Sequence, residues 1–228
     1  MLFPAGKVPG GGLVRQAVSA IDGVTISHDP AAVSTGHLSG ADWLELVIDG
    51  LTFDITGFDC GIADGASVRG AETLAIAPGP HLSGGTYILP VLRGLLTLGA
   101  KLGCQMSDTL AVYWPPSSNS IPALQLLKVA DDWNGGGAFP SEFLIRFNES
   151  SGGAFLSQGL SVFTGQELRL ASDIADSTDM TTRLGWRLAN QLVLTGRIDS
   201  TEDVTSPDGG VLRLAPSGDG NIVTVTRR

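Results

Sequence analysis

Apolar and polar residues alternate along WLELVIDGLTFDITGF, and the alternation breaks only at Asp49-Gly50. Period-two alternation on both sides of an Asp-Gly pair is the pattern of a two-stranded hairpin with one buried face. A hairpin is therefore predicted from about Trp43 to Phe58. Helical spacing governs other stretches. Leu13, Val14, Ala17, Val18 and Ile21 predict a short helix over Leu13–Ile21, with a strand at Val24–Ser27 after it. An apolar run at Leu74–Ala77 predicts a strand, followed by a helix from about Thr86 to Gly103. TLAVYW (Thr109 to Trp114) is a further strand closed by Pro115-Pro116. The next helix begins near Ile121, with Pro122 in its first turn, and stops at Asn134-Gly135-Gly136-Gly137. FLIRF, LSVF and ELRLA predict strands, and a helix is expected from about Asp179 to Leu194, ending at Gly196. The tail, GVLRLAPSGDGNIVTVTRR, predicts a second hairpin around Pro216–Gly220.

These elements do not alternate as regular βαβ units. They imply an α+β fold: a mixed, mostly antiparallel sheet with helices packed on it. The expectation is a single domain over residues 1–228, with possible halves at 1–116 and 117–228. TLAIAPG…LPVLRGLLTLGAKL and ELRLASD…RLGWRLANQLVLTG both read strand, loop, helix, with Arg93 and Arg187 at equivalent places. That parallel suggests an internal duplication.

TLAVYWPPS (Thr109 to Ser117) and GLSVFTGQELRLAS (Gly159 to Ser172), the latter with the spacing G-L-x-x-F-x-G-x-E-L, resemble segments of a group of uncharacterised bacterial proteins carrying a domain of unknown function. The resemblance implies bacterial origin and an α+β domain, and it transfers no catalytic residue.

No apolar run approaches the ~20 residues that cross a bilayer. The N-terminus has Pro and Gly where a signal peptide needs an unbroken apolar stretch. The reading is cytoplasmic, and the two separated cysteines, Cys60 and Cys104, are expected to be buried thiols. Net charge is −9 and unevenly spread: from Gln16 to Val68 there is no Lys or Arg, and the acidic residues there sum to −8. Such a field repels phosphate backbones and anionic lipid, so neither nucleic acid nor membrane is expected as a partner. A basic protein partner suits it, with Asp42, Glu45, Asp49 and Asp54 as the candidate partner-binding residues.

PGPHLSGG (Pro78 to Gly85) lies between a predicted strand and a predicted helix, the layout of a phosphate cradle. His81, Ser83, Gly84 and Gly85 are its candidate ligand-binding residues for a small anion. The loop lacks G-x-x-x-x-G-K-[ST] and G-x-G-x-x-G, and Pro80 removes an N–H. Arg93, Thr97 and Lys101 (i, i+4, i+8) read as a solvent-exposed polar stripe. No metal or cofactor is expected: His28, His37 and His81 are not paired at helical zinc spacing. His28-Asp29 resembles the paired ligands of metal phosphohydrolases but precedes Pro30 in a loop. There is no G-x-S-x-G elbow, and a hydrolase would need a scattered set such as Ser83, His81 and Cys104. Trp114, Trp133 and Phe139 bracket one helix and either line an apolar pocket or cover the sheet as core. Two function classes stand out: a non-enzymatic binding or accessory protein using the acidic N-terminal third, and a small-molecule site, enzymatic or not, at Gly79–Gly85.

Overall fold

The computed structural model describes residues 1–30, 43–59, 70–85, 87–206 and 208–228. The chain divides into two units, Met1–Tyr113 with Ser120–Gly137, and Trp114–Asn119 with Ala138–Arg228. His37, Asp42 and Cys60 lie outside the described residues.

The first unit runs β1 (Leu2–Phe3), α1 (Gly11–Ser19), β2 (Val24–His28), β3 (Trp43–Ile48), β4 (Leu51–Thr56), β5 (Glu72–Thr73) and β6 (Ala75–Pro78). A 3-10 turn at Pro80–Gly85 leads towards α2 (Leu89–Gln105), which has Pro90 in its first turn. β7 (Val112–Trp114) and β8 (Asn119–Ile121) form a separate ribbon of which Trp114 and Asn119 belong to the second unit, and α3 (Ala123–Asn134) completes the first. The predicted hairpin is present: β3 and β4 pair antiparallel from Trp43↔Thr56 to Ile48↔Leu51. Its two-residue turn has φ of 51° at Asp49 and 77° at Gly50, the left-handed pair that Asp-Gly tolerates best. β2 and β6 flank it in the order β2-β3-β4-β6, all antiparallel. Leu44, Leu46, Ile48, Phe53 and Ile55 line the inner face and pack into one core with Val14 and Val18 of α1 and Leu98 and Leu102 of α2.

α2 and α3 pack closely at Gly103, where a Cβ would lie 2.8 Å from the Cβ of Ala123. The stripe Arg93–Thr97–Lys101 is not a solvent-exposed face: Thr97 is buried at 7% exposure, and Asn134 Nδ2 of α3 donates to its Oγ1 at 3.0 Å. A second helix covers polar positions that a one-helix reading leaves in water. Trp133 is core at 3% exposure, and Phe139 is also buried. Cys104 is exposed rather than buried, because it falls on the outer side of the last turn of α2 while Leu102 and Gly103 face inward.

The second unit contains α4 (Ser141–Leu144), β9 (Arg146–Glu149), β10 (Phe155–Gln158), α5 (Ser161–Thr164), β11 (Glu167–Leu170), α6 (Thr178–Thr195), β12 (Glu202–Thr205), β13 (Val211–Pro216) and β14 (Ile222–Arg227). The strand order is β12-β13-β14-β11-β10-β9, antiparallel except for β11 with β14. Both units are thus α+β, and the tail hairpin forms as expected. α6 begins at Ser177, whose hydroxyl accepts from Met180 N, and it packs on β10 and β11. The two strand–turn–helix segments differ in place: β6 is a sheet edge, whereas β11 is interior.

LSVF is not a strand. Glu167 accepts from Gly159 N at 2.9 Å and from Ser161 N and Oγ at 3.1 and 2.7 Å, which pins the chain into the helical turn α5. Gly159 (φ 97°) and Gly165 (φ 73°) bracket that turn, and at Gly159 a Cβ would strike Leu144 O at 2.8 Å. FLIRF is split likewise: its first half closes α4, and only Arg146 onward extends as β9. Gln166 is buried. Its Nε2 donates to Ile198 O (3.0 Å) and Gly220 O (2.9 Å), and its Oε1 accepts from Ile198 N (2.8 Å). The motif Gly159–Leu168 is a structural clamp.

Two stability outcomes follow. Gly103→Ala gains helix propensity worth up to ~1 kcal/mol but overpacks α2 against α3 at ~1–3 kcal/mol, so denaturant titration should show a net loss of about 1 kcal/mol. Gln166→Leu leaves the backbone N–H and C=O of buried Ile198 unsatisfied, while Gly220 O keeps its bond from Arg197 Nη2, and should cost about 3 kcal/mol in the second unit; a stability within about 0.5 kcal/mol of the parent would refute the clamp.

Candidate functional site

The alternation that buries Leu44, Leu46, Phe53 and Ile55 sends Trp43, Glu45, Thr52 and Asp54 to the opposite face of the same sheet. A register irregularity between Ile26 and His28 absorbs Ser27 and brings His28 opposite Glu45. Cross-strand pairing then aligns His28, Glu45, Asp54 and Ala77 in one row over all four strands.

His28 and Glu45 are both held in place. The ring of His28 stacks on Trp43 with centroids 4.5 Å apart, and Trp43 stays 43% exposed. Ser27 Oγ donates to Glu45 Oε1 at 2.7 Å. At the far side the PGPHLSGG loop folds back on the sheet: Gly79 N donates to Thr52 O at 2.9 Å, and His81 Nε2 lies 3.0 Å from Thr52 Oγ1. A Cβ at Gly79 would collide with that same Oγ1, so glycine is what permits the approach.

The electrostatics centre on Asp54. Burial, then the neighbouring Glu45 carboxylate, raise its carboxyl above the ordinary range, while His28 and His81 act in the opposite direction. Its Oδ1 is out of solvent and has no hydrogen-bond partner among the described residues. Like charges directly opposite on paired strands destabilise a sheet, and Glu45 with Asp54 is such a pair. The face therefore offers two carboxylates and an aromatic surface flanked by two imidazoles. Such a set suits an ammonium or guanidinium group. Among the described residues no three His, Cys, Asp or Glu side chains group so as to hold a metal ion. His28-Asp29 does not act as one unit, since Asp29 turns away to a bidentate pair with Arg15 at 2.6 and 2.9 Å.

Of the residues singled out in the sequence, His81, Glu45 and Asp54 come together on this face. Asp49 sits in the β3–β4 turn. Ser83, Gly84 and Gly85 lie in the 3-10 turn, where Leu82 N donates to Gly79 O and Ile88 N to Gly85 O. α2 starts only at Leu89, so the glycines do not open it. Trp43, Thr52 and His28 were not singled out as partners of this site. For Trp43 and Thr52 the alternation of the hairpin carried the signal; for His28 the irregularity in β2 hid it. The chain matches no protein-family model, no curated protein and no solved structure, so the reading of this face rests on its own chemistry.

Proposed function

We propose that the chain is a non-enzymatic binding or accessory protein whose first unit takes a basic side chain of a protein partner on the outer face of its sheet. The observation that carries this reading is the opposition of Glu45 and Asp54 across β3 and β4, with Asp54 Oδ1 buried and unpartnered among the described residues. A lysine or arginine placed between them gives both carboxylates a charge-assisted partner, and Trp43 offers its exposed ring to the same cation. The absence of Lys and Arg from Gln16 to Val68 removes internal competitors for these carboxylates and steers basic surfaces towards them. Polyanions, whether nucleic acid or anionic lipid, are steered away by the same field.

The direct test is fluorescence anisotropy with a labelled Lys/Arg-rich peptide. Binding should weaken with added salt, and Glu45→Gln or Asp54→Asn should each weaken it about tenfold, ~1.4 kcal/mol. Asp199→Asn, in the second unit, is the control and should change nothing. Affinity indifferent both to salt and to the Glu45 and Asp54 variants would overturn the proposal.

A second outcome concerns stability. Because the Asp54 carboxyl is raised in the fold, the native state holds that proton more tightly than the unfolded chain, and stability falls as pH rises through the window above the ordinary carboxylate value. Asp54→Asn removes this penalty. It should raise the melting midpoint at neutral pH and lose that advantage once pH drops below the ordinary Asp range. An advantage that is independent of pH would mean the raised carboxyl is not its source.

A further inference from the structure

A cavity of about 590 Å³ opens in the first unit beside the β3–β4 turn, between α2 and α3. That volume is within the range of small-molecule sites. Its charged lining is Arg93, Lys101, Asp22, Asp49 and Asp131. Pairing of Val24 with Ile48 puts the segments just beyond them, with Asp22 and Asp49, at the same end of the sheet. Arg93 and Lys101 stand on α2, eight residues apart and thus about 12 Å along the helix axis. Arg93 is fixed by its guanidinium lying 4.6 Å from the centroid of the Trp133 ring, and its Nε is buried without a hydrogen-bond partner among the described residues. The Asn134–Thr97 hydrogen bond lies between the two cations and stiffens that wall. Among the described residues no carboxylate is within ion-pair distance of Arg93 or Lys101.

Opposite charges that share a cavity without touching suit a molecule that carries both signs. We infer that this cavity binds a small zwitterion of the amino-acid or dipeptide class, its carboxylate on Arg93 and its ammonium on the Asp22–Asp49 side. Two cations against three carboxylates leave the lining one negative charge in excess. A ligand with a basic side chain neutralises that excess, and an acidic one adds to it.

The experiment is thermal unfolding of the full chain with each proteinogenic amino acid and a set of dipeptides at millimolar concentration, followed by calorimetric titration of those that act. A ligand at ~100 times its Kd should raise the midpoint by about 5–10 °C. Basic ligands should bind tightest and acidic ones weakest. Arg93→Gln and Asp49→Asn should each weaken binding about tenfold or more, and Asn suits the positive φ at position 49 as well as Asp does. Lys101→Gln, which leaves the Arg93–Trp133 contact intact, serves where Arg93→Gln fails to fold and should also weaken it. Glu45→Gln should leave it unchanged, which separates this cavity from the sheet face. No shift from any of these probes, a shift that survives both Arg93→Gln and Lys101→Gln, or acidic ligands binding as well as basic ones would overturn the inference.

Discussion

The register of the β3–β4 hairpin is the constraint on which the first unit depends. Its turn allows only two residues, and both adopt positive φ. A slip of one residue would turn Leu44, Leu46 and Ile48 out to water and bring Trp43, Glu45 and Val47 into the core. Burying Glu45 without a partner makes that alternative prohibitive. The same two residues thus fix the apolar core on one side and the row of His28, Glu45 and Asp54 on the other. Core and candidate site are two faces of one decision.

The second unit is held differently. Its larger sheet has a single parallel pair, β11 with β14. Parallel strands cannot be joined by a tight turn, and the chain makes the return through α6, β12 and β13. Gln166, at the entry to β11, ties together Ile198, between α6 and β12, and Gly220, just before β14. Glu167 fastens the loop on the other side. Two adjacent polar side chains therefore secure the sheet where its hydrogen-bond direction changes. That accounts for a polar pair in so apolar a setting without any appeal to chemistry.

The sequence was legible where one period governs a stretch. The hairpin, α2, α3, α6 and the tail hairpin all follow from alternation, helical spacing and Gly or Pro punctuation, as does the shared outward face of Trp43, Glu45, Thr52 and Asp54. It was less legible where distant residues decide. LSVF has the composition of a strand, yet Glu167 and two glycines of positive φ coil it into a turn. Thr97 has a polar side chain on a helix surface, yet α3 covers it. His81 belongs to a loop that looks like a phosphate cradle, and only its return to Thr52 puts it beside the carboxylates. Local spacing carries no information about such returns.

The sheet edges bear on how this protein meets others. In the four-stranded sheet β6 is, among the described residues, an outer strand, and it ends at Pro78, which has no N–H to offer a neighbour. In the larger sheet the outer strands are β9, with Arg146 and Glu149, and β12, with Glu202 and Asp203. Charge and proline at these borders discourage another chain from adding itself as an extra strand. Recognition through main-chain pairing is thereby disfavoured at these borders, and the selection of partners passes to side chains on the open faces, where it responds to salt and to single substitutions.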